Sequence, residues 1–93
     1  MRLIHTTHRA AATAILSGGF QDGELQGLIG HLRSGVWLSD QALSELYSVF
    51  LEIEVPDEVA ARYKEESDMH GYNRWLIPAA VLNRYPVREC PAQ

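Results

Sequence analysis

The sequence has little of several features that whole protein classes require. It contains one cysteine, Cys90, which excludes an internal disulfide and a zinc site built from several cysteines. No stretch approaches the roughly 18 consecutive apolar residues of a membrane-spanning helix, and residues 1–9 lack the apolar segment of a secretory signal peptide. We therefore expect a soluble, cytoplasmic protein that does not bind membranes.

Basic residues and ligand-binding motifs are also scarce. The chain has 8 Lys and Arg against 12 Asp and Glu, for a formal net charge of −4. Because affinity for nucleic acid comes mainly from Lys and Arg, this balance disfavours a nucleic-acid partner. The sequence contains no P-loop, GxGxxG, GxSxG, helical zinc motif or calcium loop, and His5 and His8 straddle a strand-to-helix junction. We expect no bound metal.

The length and composition fit one small domain. The 93 residues are 46% apolar, which suffices for one hydrophobic core, and no repeat or composition shift divides them. The expected domain covers residues 1–85, followed by a C-terminal tail over residues 86–93. Because small domains often gain stability by associating, a homo-oligomer stays among the expectations.

The spacing of apolar residues predicts an α+β fold with a single small mixed sheet and short helices. The clearest strand covers residues 47–55, where side chains alternate between apolar and polar. A strand over residues 2–6 precedes a helix over residues 8–16, which Thr7 caps and Gly18–Gly19 end.

The middle of the chain is more ambiguous. Leucine and isoleucine at positions 25, 28, 29 and 32 match one helical face, although two internal glycines each cost about 1 kcal/mol relative to alanine. We predict a helix there. The remaining predicted elements are a strand at 36–38, a helix at 42–46, a helix that opens at residues 56–58, a loop at 67–72, a strand at 74–77 and a short helix or turn at 78–82.

Three side chains are candidates for chemistry. His5 lies inside the first strand, on the face opposite Ile4. A histidine in such a position is more often a half-buried, hydrogen-bonded structural residue than a functional one. Trp37 lies between apolar neighbours and is typical of a core, but its indole can also stack on a flat ring. Arg74 lies in a late strand and binds phosphate or carboxylate only if other polar groups converge on it. Convergence of the three on one cleft would favour a binding role.

These three segments resemble, in order and spacing, motifs of the ADP-ribosyltransferase-like fold, especially its diphtheria-toxin and poly-ADP-ribose-polymerase branch. The first motif is a His-Gly-Thr strand and a helix that ends in a glycine and a hydrophobic residue; here it is residues 3–20. The second is Gly-aliphatic-aromatic-aliphatic-small-Asp, which residues 35–40 match throughout. The third begins a late strand with glutamate and aligns with residues 74–77. The chain is also similar to small bacterial proteins without an assigned function that share a GVWLSD-like strand and a W-[LI]-[IV]-P-A ending.

The resemblance implies NAD as the substrate and gives roles to individual residues. His5 would hydrogen-bond a ribose hydroxyl, and Trp37 would stack on the nicotinamide ring. Thr6 replaces the glycine whose backbone holds the carboxamide, and Ser39 belongs to the second motif; both would contact NAD. Arg74 replaces the glutamate that stabilises the oxocarbenium-like charge, and a cation there opposes that transition state.

Four functions remain open at this stage. The first is a minimal ADP-ribosyltransferase or NAD glycohydrolase with His5 and Arg74 at its catalytic centre, in which Glu52 or Glu54 substitutes for the missing glutamate. The second is a non-catalytic module that binds a nucleotide, ADP-ribose or a protein. The third is an RNA 2′-phosphotransferase, which Ile4 and the net charge of −4 disfavour. The fourth is a structural or regulatory domain, for example half of a toxin–antitoxin or phage-defence pair.

Overall fold

Seven strands and three short helices are formed by the residues that the computed structural model describes, which are 1–26, 32–41, 49–65 and 73–90. The α+β class is therefore confirmed. In chain order, the elements are β1 Arg2–Thr7, α1 Arg9–Gly18, β2 Gly23–Gln26, β3 Leu32–Ser39, β4 Val49–Glu54, α2 Asp57–Tyr63, β5 Lys64–Glu65, β6 Arg74–Ile77, α3 Ala79–Leu82 and β7 Val87–Glu89.

The strands form one sheet in the order β5-β6-β3-β1-β4-β7, and β2 pairs with the first half of β3. Every described pairing is antiparallel, whereas the sequence predicts a mixed sheet. The physical reason lies in the connections. A parallel pair needs a crossover from one strand to the next, but α1 leads from β1 into the β2–β3 pair rather than into a strand parallel to β1.

The segment predicted as a helix around residues 25–32 is extended at both of its described ends. Leu25 lies in β2, where it pairs with Arg33, and Leu32 begins β3. The helical prediction is wrong at these ends because pairing between β2 and β3 overrides the local leucine spacing, and glycines at 27 and 30 weaken a helix. The predicted helix at 42–46, the loop at 67–72 and the first two residues of the strand predicted at 47–55 lie outside the described residues.

Helix α1 begins one residue later than the sequence predicts. Thr7 is the last residue of β1, and the cap is His8, whose Nδ1 accepts a hydrogen bond from the Ala11 amide at 3.4 Å. The predicted glycine ending is confirmed, because Gly19 follows the helix with φ of 90°, a conformation that favours glycine. No helix within the described ranges is long and apolar enough to cross a membrane.

The two faces of the sheet differ in what they carry. One face packs against the helices and forms the core, which includes Leu3, Val36, Leu38, Ile53, Trp75 and Ile77. Residues directly opposite each other on paired strands share a face. Ile4 is opposite both Ser39 and Glu52, and Ser39 is opposite Arg74. These four side chains therefore lie on the face opposite the core.

The predicted tail over residues 86–93 begins instead with a strand. Val87–Glu89 form β7, which pairs with β4, and the Cys90 amide donates to the Phe50 carbonyl at 2.8 Å. At the same edge, the Arg9 guanidinium binds both oxygens of the Glu89 carboxylate at 2.6 and 3.2 Å. The folded domain thus extends at least to Cys90.

Candidate functional site

Strands β1 and β3 are neighbours at the centre of the sheet but are paired over a short length. Their register joins Ile4 to Ser39, whereas β1 pairs with β4 along its whole length. Beyond Ile4, a side chain connects the two strands, because His5 Nδ1 donates to the Trp37 carbonyl oxygen at 2.8 Å. The sheet therefore opens at the position where the first two sequence motifs meet.

The hydrogen bond to Trp37 fixes the chemistry of the His5 ring. A carbonyl oxygen only accepts, so Nδ1 carries the proton and the neutral ring keeps Nε2 as an acceptor. Burial lowers the pKa of His5 from its usual 6.5, and the bond to Trp37 opposes this only in part. The Phe20 ring stands edge-on to the imidazole, with centroids 5.6 Å apart. His5 can thus accept a hydrogen bond from a ligand hydroxyl near neutral pH.

A cavity of about 240 Å³ lies where β1 and β3 separate, and we call it the β1–β3 cleft. The structure brings together every site residue predicted from the sequence. The lining consists of Ile4, His5, Thr6, Trp37, Leu38, Ser39 and Arg74.

Two buried polar atoms of the β1–β3 cleft have no hydrogen-bond partner among the described residues. They are Thr6 Oγ1 and Arg74 Nε. Leaving a buried polar atom unpaired costs about 1–3 kcal/mol, so such atoms require an explanation. These two unpaired atoms distinguish the cleft, because no other buried side-chain nitrogen or oxygen of the described residues lacks a partner.

Trp37 and Ser39, the other polar or aromatic residues predicted for the cleft, contact groups of the protein itself. The Arg74 Cζ lies 4.9 Å from the centroid of the Trp37 ring, in the range of a cation–π contact. Ser39 is only 5% exposed, and its hydroxyl donates to the Gln41 carbonyl at 2.7 Å. Ser39 therefore shapes the wall of the cleft, while its hydroxyl hydrogen is used within the protein.

A second cavity of about 440 Å³ lies between α1 and β3, and we call it the α1 cavity. His5 and Trp37 line both cavities. The alanine-rich helix leaves room for the α1 cavity because its side chains are short. The remaining lining residues are mostly small or apolar: Thr7, Ala11, Ala14, Ile15, Gly18, Gly19, Phe20, Gln21, Gly35 and Val36.

Asn83 positions the site, although its sequence context does not predict this role. Its side chain accepts from the Phe20 amide at 2.8 Å and donates to the Phe20 carbonyl at 3.0 Å. A Cβ at Gly19 would lie 2.9 Å from Asn83 Oδ1, so glycine is needed for this approach. Asp22 adds a second connection by accepting from the Ala79 amide at 2.8 Å. These contacts hold the Phe20 ring against His5.

Neither glutamate considered as a substitute lines a cavity beside His5. Glu52 is 6% exposed and accepts hydrogen bonds from Arg2 and Arg88. Both guanidiniums lower the pKa of the Glu52 carboxyl, and Arg2 has the larger effect. Glu54 binds the Met1 ammonium at 3.1 Å. Among the described residues, no carboxylate lines the β1–β3 cleft or the α1 cavity.

No protein-family model, curated protein or solved structure matches this chain. In the described part of the chain, no three His, Cys, Asp or Glu side chains are grouped closely enough to hold a metal ion. The function is therefore inferred from the residues that line the two cavities.

Proposed function

We propose that this chain is an ADP-ribosyltransferase-like domain whose β1–β3 cleft binds a nucleotide of the NAD or ADP-ribose class. The observation that carries the proposal is the convergence of five predicted residues on one cavity: His5, Thr6, Trp37, Ser39 and Arg74. They come from β1, β3 and β6, which are the strands that hold the three motifs. Residues far apart in sequence therefore line one cavity, and this supports the proposal.

The polar atoms of the cleft match the groups of such a nucleotide. Arg74 Nε and Thr6 Oγ1 would bind phosphate oxygens, because both are buried and lack a partner among the described residues. His5 Nε2 would accept from a ribose hydroxyl.

Arg74 favours binding over turnover. Departure of nicotinamide from NAD leaves positive charge on the ribose, which a guanidinium in the cleft destabilises. Glu52 and Glu54, which could have opposed this effect, bind cations elsewhere. We therefore propose a non-catalytic nucleotide-binding module, and an active transferase or glycohydrolase is the alternative that the same experiment tests.

The test is isothermal titration calorimetry with ADP-ribose, together with an assay of nicotinamide release from NAD. We expect saturable binding of ADP-ribose and no nicotinamide release above background. Arg74→Gln should weaken binding about tenfold or more, because a charge-assisted hydrogen bond is lost. The matched control is Arg84→Gln, which removes an exposed arginine that lines neither cavity.

Two results would change the proposal. Absence of binding by ADP-ribose, AMP and NAD would refute nucleotide recognition. Release of nicotinamide that disappears in His5→Ala would establish turnover in place of simple binding.

A further inference from the structure

Arg74 places a cation on the aromatic ring that the resemblance assigns to nicotinamide. Its Cζ lies 4.9 Å from the Trp37 ring centroid. An indole ring attracts cations through the negative charge density on its faces. The nicotinamide ring of NAD⁺ is itself a cation, so it would compete with Arg74 for the same attraction.

Repulsion adds to this competition whichever face of the indole the ligand approaches. A pyridinium on the same face would have to displace the guanidinium. Wherever a pyridinium stacks on the indole, it lies within roughly 8 Å of the guanidinium, and two unit charges at that distance near a protein surface repel enough to raise Kd about tenfold or more. A neutral ring of the same size escapes this cost.

The remaining polar atoms of the cleft favour negative charge. Arg74 Nε can only donate, and the hydroxyl of Thr6, which also lines the cleft, can donate as well. Both atoms lack a partner among the described residues, so these side chains offer donors to an oxyanion. The cleft therefore offers stabilisation to an anion and repulsion to a cation.

We propose that Arg74, stacked on Trp37, is a specificity-determining residue that makes the cleft select oxyanion-bearing nucleotides without a pyridinium cation. This inference rests on the proposed nucleotide-binding function and names its ligand class. ADP-ribose and the reduced dinucleotide NADH belong to that class, and NAD⁺ does not.

The test compares NADH with NAD⁺, which have the same size but differ in the charge of the nicotinamide ring. By calorimetry, the wild-type protein should bind NADH about tenfold more tightly than NAD⁺. The ratio should approach one in Arg74→Gln, persist in Arg74→Lys and reverse in Arg74→Glu. Arg84→Gln is the control and should keep the wild-type ratio. Thermal unfolding of each variant checks that it is folded.

The outcomes distinguish failure of the proposed selectivity from failure of the proposed nucleotide-binding function. If ADP-ribose binds but NAD⁺ and NADH bind equally to the wild type, the selectivity is refuted and nucleotide binding stands. If the preference for NADH persists in Arg74→Gln, it arises from ring shape, and the role of Arg74 is refuted. If none of the three nucleotides binds, the proposed function is refuted, together with the selectivity that rests on it.

Discussion

Two groups of charged side chains on the same face of the sheet differ in how completely their polar atoms are paired. Around Glu52, the buried carboxylate accepts hydrogen bonds from Arg2 on one neighbouring strand and Arg88 on the other. Around the β1–β3 cleft, the buried Arg74 Nε and the Thr6 hydroxyl have no partner among the described residues. The buried charge of the first group is paired within the protein, whereas the second group keeps buried polar atoms without a hydrogen-bond partner among the described residues.

The difference indicates which group serves the fold and which serves a ligand. Folded proteins pair nearly all of their buried polar atoms, so a completed ion pair needs no further role to explain it. Buried atoms that lack a partner cost stability and are expected where an external group completes them. Charge alone does not distinguish the two groups, because both contain arginine on adjacent parts of one sheet.

The largest expected effect is on stability, when both arginines around Glu52 are removed. Arg2→Ala with Arg88→Ala leaves a buried carboxylate without its cations, and the unfolding temperature should fall by several degrees. Adding Glu52→Gln should restore much of this loss. Binding of ADP-ribose should stay unchanged in both variants, as measured by calorimetry.

The control for this experiment removes two other arginines. Arg62→Ala with Arg84→Ala takes the same charge from exposed positions in α2 and after α3, and should shift the unfolding temperature little. A loss equal to that of the Arg2 and Arg88 variant would show that net charge, rather than pairing of Glu52, sets the stability.

A smaller effect is expected on binding, when the unpaired hydroxyl is removed. Thr6→Val replaces Oγ1 by a methyl group of the same size, so the folded protein loses no hydrogen bond and its unfolding temperature should not fall. Affinity for ADP-ribose should drop about fivefold, the value of one hydrogen bond of roughly 1 kcal/mol. Thr13→Val, at an exposed position of α1, is the matched control. Unchanged affinity in Thr6→Val would contradict the assignment of Thr6 to ligand binding.

The smallest effect concerns acid stability. Arg2 and then Arg88 lower the pKa of Glu52 in the folded protein from its usual 4.5. The resulting stabilisation is present above pH 4.5 and is lost as the pH falls below 4.5 through the lowered pKa. The difference in unfolding temperature between the wild type and Glu52→Gln should therefore shrink on acidification from neutral pH to about pH 3. A constant difference would mean that the ionised carboxylate contributes nothing.

Local sequence patterns were sufficient to predict some elements but not others. The alternation through β4 and the glycine ending of α1 are local signals, and both predictions are confirmed where the structure describes them. The leucines near β2 fit a helical face, but pairing with β3 decides the structure at Leu25 and Leu32, and local spacing does not encode that pairing. The sequence predicts a tail where β7 forms, because β7 follows Pro86 and two of its three residues are charged, so it has no apolar alternation typical of a strand.

The residues predicted for the candidate site come from three short segments of the sequence. The motif order led to His5, Trp37 and Arg74, and the fold brings them to one cavity. Two features had no local signal. Asn83 binds Phe20 from 63 positions away, and the pairing state of Glu52 depends on which strands flank β4. Such contacts are set by sheet topology, which apolar periodicity does not encode.

The imidazole of His5 performs two tasks that respond differently to protons. Nδ1 donates to the Trp37 carbonyl whether the ring is neutral or charged, so the connection between β1 and β3 persists in both states. Nε2 accepts only while the ring is neutral, and the lowered pKa extends that state below pH 6.5. Protonation thus removes the Nε2 acceptor that a ligand would use, while the Nδ1 hydrogen bond between β1 and β3 remains. One ring nitrogen connects the two strands in both protonation states, and the other binds a ligand hydroxyl only while the ring is neutral.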